Sequence, residues 1–149
     1  MRRLHLHIGV EHLNESISFY ETLFKSKPTK LKEDYAQWVL EDPKINFAIS
    51  TRAEKNGVEH LGIQVDNSVE LNKIREDLDH HQISTHSDGE VTCCYAKSEK
   101  SWVTDPSGIA WETFRTTAHS NTFYKDKNDK TEIDNLETLT TNNSGSSCC

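Results

Sequence analysis

His5-Leu6-His7-Ile8-Gly9-Val10-Glu11 returns 55 residues later as His60-Leu61-Gly62-Ile63-Gln64-Val65-Asp66. Four of the seven positions are identical and a fifth keeps its acid. At the same offset Glu21 and Leu23 stand over Glu76 and Leu78, in segments that both read as helix. A duplicated module is the economical explanation, and the rest of the chain parses to match.

In the first copy, Leu4 to Val10 alternates apolar and polar as a half-buried strand does. Asn14 then offers a helix N-cap, and Ile17, Tyr20, Leu23 and Phe24 fall at three- and four-residue spacing on one face. Strands are predicted at 35–40 and 44–50, separated by the turn signal Glu41-Asp42-Pro43, with a further one near 30–34. The second copy runs strand 60–65, then a helix from Ser68 to about His80 with Val69, Leu71, Ile74 and Leu78 inward. Strands follow at 83–86, 91–96, 101–104 and 110–114, with Asp88-Gly89 and Asp105-Pro106-Ser107-Gly108 as turns. The fold class is therefore α+β: two βαβββ modules, 1–54 and 55–116, whose curved sheets join and enclose a cleft.

Composition limits the alternatives. Seventeen basic against 24 acidic residues give a formal charge of −7, with no basic cluster beyond Arg2-Arg3, which argues against nucleic acid. No apolar run reaches the length of a membrane span or of a secretory leader. From Thr117 onward 16 of 33 residues are Ser, Thr, Asn or Gly, so 117–149 reads as a disordered tail ending in Cys148-Cys149. The four cysteines form two adjacent pairs, and a disulfide between neighbours is geometrically strained. Thiols and a reducing cytoplasm are the expectation.

Duplication makes His5 and His60 equivalent positions on the opening strand of each module. His7 shares a face with His5, while Leu6 and Leu61 point away. Across a pseudo-twofold axis His5 and His60 can approach each other, and Glu112, on the final strand, supplies an oxygen. Two imidazoles and one carboxylate on rigid strands form a facial set for Fe(II) or a similar divalent ion, with coordination positions left open. Phe47 or Ala48 stands opposite Glu112 in the first module, so the fourth symmetry-related position carries no ligand. His7 is the substitute should His5 face away. Most single histidines on strands only hydrogen-bond; His12, His80, His81, His86 and His119 read as surface positions, and Tyr35, Trp102 and Trp111 as core or cleft wall.

Cys93 and Cys94 fall in a predicted strand or its edge. Buried cysteines commonly act as small apolar side chains. Neighbours on a regular strand face opposite ways, however, whereas a kink would turn both sulfurs to one side and create a soft two-donor site for arsenic(III) or cadmium. Lys97 and Lys100 would favour thiolates, and 97–101 is placed to serve as a lid. Cys148-Cys149 would make a tethered capture arm.

The opening segment, with Leu13, Ser16 and Phe19-Tyr20-Glu21-Thr22-Leu23-Phe24, then His60-Leu61-Gly62-Ile63, Asp105-Pro106-Ser107-Gly108 and Trp111-Glu112, resembles the vicinal oxygen chelate superfamily of glyoxalases, bleomycin resistance proteins and extradiol dioxygenases. Within it, Cys93-Cys94-Tyr95-Ala96, Trp102-Val103-Thr104 and the cysteine-paired tail resemble the non-heme iron carbon-arsenic lyases, some of which are called cadmium-induced proteins. The resemblance implies Fe(II) on His5, His60 and Glu112, with Cys93 and Cys94 holding the arsenic of a trivalent organoarsenical such as methylarsenite or a reduced aromatic arsenical. It further implies cleavage to arsenite with O2, in an arsenic detoxification role, by a monomer or homodimer. Some members carry glutamine where His5 stands. Two other readings compete. A metal-dependent thiol transferase or isomerase would not need the cysteines, and a binding protein that sequesters cadmium or arsenite would not need Glu112.

Overall fold

The structure is a computed structural model and describes residues 1–122 together with the backbone of Tyr124 and Lys125. The first half comprises β1 (Arg2–Gly9), α1 (Leu13–Phe24), β2 (Lys30–Leu31), β3 (Tyr35–Glu41) and β4 (Lys44–Ser50). The second comprises β5 (Gly57–Val65), α2 (Ser68–His80), β6 (His86–Cys93), β7 (Ala96–Thr104) and β8 (Ala110–His119), followed by β9 (Tyr124–Lys125). They form one curved mixed sheet in the order β2-β3-β4-β1-β5-β8-β7-β6-β9.

That order is nearly palindromic. β1 pairs parallel with β4 as β5 does with β8, and the halves meet where β1 and β5 run antiparallel. The register obeys the 55-residue offset: His5 stands opposite Gly62, and its symmetry image places His7 opposite His60. The duplication in sequence is therefore a pseudo-twofold axis in space.

The helices cover the convex face. Ile17, Tyr20 and Phe24 of α1 pack with Leu13 against Trp38, Phe47 and Ile49, where ring contacts such as Tyr20–Phe47 at 4.5 Å fill the interface. Leu23, expected inward, is exposed, as is Val69 on α2, whose buried anchor is Leu71. His12, not Asn14, occupies the N-cap of α1 and makes no side-chain cap; Asn67 caps α2 by accepting from the Glu70 N–H at 2.9 Å.

Four other expectations change. Residues 83–85 are not strand, and β6 begins at His86. The predicted 91–96 strand is broken by a two-residue turn at Cys94 and Tyr95, and 97–101 is interior strand of β7 rather than a lid. β8 runs to His119, three residues past the boundary expected at 116, and β9 pairs with Thr92 and Cys93 of β6. The remainder of the expected tail, with Cys148-Cys149, lies outside the described residues. Among those described, no helix is long and apolar enough to cross a membrane.

Gly62 is fixed by contact between strands. A Cβ there would sit 2.5 Å from the Glu112 carbonyl oxygen. Gly62→Ala is expected to lower stability by about 1–3 kcal/mol, because the methyl wedges β5 from β8. Urea denaturation reads this directly, and an unshifted midpoint would mean that β8 yields without cost.

The curl of the sheet brings its two ends together over the concave face. Lys30 Nζ donates to the Tyr95 carbonyl at 3.0 Å, and Tyr95 Oη donates to Asp34 Oδ1 at 2.6 Å. Arg52 holds Asp34 from the other side. The clasp lies beside the turn that carries the cysteines.

Candidate metal centre

Period-two alternation places His5 and His7 of β1, His60 of β5 and Glu112 of β8 on the concave face, all under 6% exposed. His5 Nε2 and His60 Nε2 are 3.2 Å apart, and Glu112 Oε2 lies 3.8 and 3.6 Å from them. Two donors about 2.1 Å from one ion at a right angle stand about 3 Å apart, so these three atoms need move little to share an ion.

The outer nitrogens are already engaged. His5 Nδ1 donates to the Asn46 carbonyl at 2.9 Å, and His60 Nδ1 lies 2.9 Å from Glu59 Oε2. Engaging Nδ1 turns each Nε2 lone pair inward, the arrangement that metal-binding imidazoles require. Glu59 reaches His60 because of a local irregularity: His7 pairs with His60 but Ile8 with Val58, leaving Glu59 as the extra residue of a β-bulge. A bulge re-aims one side chain onto its neighbour's face, which plain alternation would forbid.

The same cavity, about 40 Å³, is lined by Cys93 and Cys94. Cys94 and Tyr95 have φ of 55° and 59°, both left-handed, as a two-residue type I′ hairpin turn demands. That kink brings the two thiol sulfurs to 3.0 Å of each other, so the pair does not split between opposite faces. Lys100 is buried with its Nζ 2.5 Å from Glu112 Oε1, while Lys97 is exposed on the outer face of β7 and takes no part. Tyr35 lines the cavity, and Trp102 packs edge-on to His60 at 5.2 Å. Trp111 turns away to donate to Asp105. The five histidines expected on the surface are exposed.

The electrostatics follow from burial and from these pairs. Desolvation drives His5 down to about 4, so it is neutral at pH 7. Burial pulls His60 down too, but Glu112 and Glu59 outweigh it and raise the group to about 9. Burial opposes ionisation of Glu112, yet Lys100 and His60 hold its carboxyl well below the usual range. Lys100 is raised in turn by Glu112 and by the two cysteines, against the cost of its burial.

An ion entering between the imidazoles must displace the His60 proton. Divalent-metal affinity is therefore expected to rise about tenfold per pH unit up to about pH 9, with roughly one proton released per ion. Calorimetry in buffers of different ionisation heat measures this, and zero proton release would contradict a protonated His60 in the metal-free protein. Without metal, His60 contributes stability that is full below about 6.5 and lost as pH rises through 9. His5 contributes stability that is lost as pH falls from about 6.5 through 4.

Sequence reasoning missed Glu59, Asn46 and the inward aim of Lys100. Only Lys100 left a signal, in its period-two spacing from Trp102, which the sequence places at the core or cleft wall.

Comparison with known proteins agrees with this architecture. Residues 2–113 match the family described as the Glyoxalase/Bleomycin resistance protein/Dioxygenase superfamily. The chain is 40% identical over 126 residues to a trivalent organoarsenical cleaving enzyme of Bacillus sp. (strain MD1), covering 81% of this chain and 78% of that one. It is 33% identical over 124 residues to the cadmium-induced protein CadI of Mycobacterium bovis, covering 83% and 82%. In fold it is similar to the Mn(II)-bound glyoxalase from Novosphingobium aromaticivorans, with a TM-score of 0.57 and 13% identity, over 85% of this chain and 44% of that one.

Proposed function

The chain belongs to the glyoxalase/bleomycin resistance protein/dioxygenase superfamily, and from that premise we propose that it cleaves the carbon-arsenic bond of trivalent organoarsenicals, using Fe(II) and O2, to release arsenite. One observation carries the reading: a pair of adjacent thiols and a two-histidine, one-carboxylate cluster line a single cavity. The organoarsenical cleaving relatives support the substrate class.

For methylarsenite the balance is CH3As(OH)2 + O2 → As(OH)3 + CH2O. The carbon-arsenic bond breaks, carbon gives up four electrons to dioxygen, and arsenic stays trivalent. Cys93 and Cys94 would exchange their protons for two arsenic–sulfur bonds, releasing water from the arsenical. Two-point attachment fixes the third substituent, the carbon to be oxidised, in direction as well as position. His5, His60 and Glu112 would hold the ion, which when bound supplies a site for activating O2 beside that carbon. Lys100 offers a fixed positive charge next to the carboxylate and the thiols, favouring thiolate over thiol. Asn46 and Glu59 keep the imidazole lone pairs turned inward.

Anaerobic reconstitution with Fe(II), addition of methylarsenite and then O2, and detection of arsenite tests the reading. Arsenite in step with O2 consumed is expected; none above the metal-free control would overturn it. A second reading, non-catalytic sequestration of arsenite or cadmium, draws on the same thiol pair and on the CadI relative. It predicts full function without Glu112.

A further inference from the structure

His7 takes no part in the proposed triad, yet its surroundings are those of a ligand. It is 1% exposed, lines the cavity, and its Nε2 has no hydrogen-bond partner among the described residues. An unsatisfied buried nitrogen is costly unless something else comes to it. Its ring lies 5.0 Å from that of His60, and one donor atom from each of His5, His7 and His60 falls within 4.8 Å of the others.

Symmetry explains why the position matters. Gly62 pairs with Glu112 on β8; the image of that pair is His7 beside Ala48 on β4. The first module thus has alanine where the second has its carboxylate, and a fourth symmetric donor from β4 is missing. His7, on the adjacent strand and the same face, stands next to that gap. The bulged Glu59 lies close to it, with Oε2 in a 2.9 Å contact with His60 Nδ1 and 3.8 Å from His7 Nδ1, beyond hydrogen-bond reach. A shift of under about 1 Å would let one carboxylate orient both imidazoles with their Nε2 atoms inward.

We propose that His7 is a fourth protein ligand, so that the centre is a three-imidazole, one-carboxylate site, with Glu59 the shared positioning residue for His7 and His60. The inference rests on the reading that this cavity holds a divalent ion. A fourth protein donor leaves about two positions of an octahedral ion open rather than three, and nitrogen rather than oxygen there biases the site toward Fe(II), Co(II) or Ni(II) over Mg(II) or Ca(II).

The test uses Co(II) alone on the full chain. In the unaltered protein, NMR of the Co(II)-loaded form counts hyperfine-shifted, exchangeable imidazole N–H signals: three are expected, and two would overturn the proposal. His7→Phe, which keeps bulk and removes the donor, is expected to weaken Co(II) at least tenfold and to change the visible d–d band. Unchanged affinity and spectrum would overturn it as well. The NMR count stands whether or not the variant folds. Three signals without arsenite formation would remove the arsenical reading and leave this one; two signals with arsenite formed would do the reverse.

Discussion

Cys93→Ser and Cys94→Ser are each expected to weaken methylarsenite binding by at least about a hundredfold. The turn at Cys94-Tyr95 sets the two sulfurs 3.0 Å apart, so the second arsenic–sulfur bond forms within the molecule. Loss of an intramolecular second contact costs on the order of 10²–10⁴ in affinity. Neither substitution touches His5, His60 or Glu112, so Co(II) affinity should stay within severalfold. Equilibrium dialysis with arsenic and cobalt measured on the same samples separates the two effects. A serine variant that binds the arsenical within threefold of the parent would show that the cavity does not use this pair.

The complementary change, Glu112→Gln, should abolish Fe(II)-dependent cleavage, by about 10³-fold or more, while leaving arsenical binding largely intact. It also strands Lys100. Both side chains are buried, and removing one partner of such a pair costs about 3–5 kcal/mol. Lost activity could then reflect a loosened fold. Adding Lys100→Met removes the stranded charge, so the double variant should regain most of the thermal stability and none of the cleavage. Cleavage returning with stability would show Glu112 to be structural, and full activity in the single variant would refute the ligand assignment.

How legible was this centre beforehand? The repeated segment carried most of the fold, because a period-two strand displaying histidine at the same phase in both copies determines the face as well as the element. Glu112 was reachable because it lies late in the second copy, on a strand alternating through Phe114. The cysteine pair pointed to a kink, since regular strand geometry cannot bring adjacent sulfurs together. What escaped was whatever depends on how two strands meet. The bulge at Glu59 is a property of the β1–β5 register and leaves no mark in its own residue type. The grip of Lys100 on Glu112 depends on β7 folding back onto β8. The hydrophobic periodicity of α1 and α2 marks their inward faces but not the width of those faces, which is why it points Leu23 and Val69 inward although both lie outside the core. The strand extension to His119 ran past a compositional boundary, because Thr-rich sequence suits a strand as well as a tail.

The way the sheet ends also bears on solubility. Its outermost strands, β2 and β9, are two residues each, Lys30 lies on one of them, and the curl ties Lys30 and Asp34 to Tyr95 at the far side. A nine-stranded sheet that lay flat would offer two long rows of backbone donors and acceptors to any neighbouring chain. Because β2 covers β3 only at Ala36 and Gln37, and β9 covers β6 only at Thr92 and Cys93, the short end strands do not close these margins. The clasp turns them toward each other, so the contacts that shape the cavity also withdraw part of that edge from open-ended β-assembly.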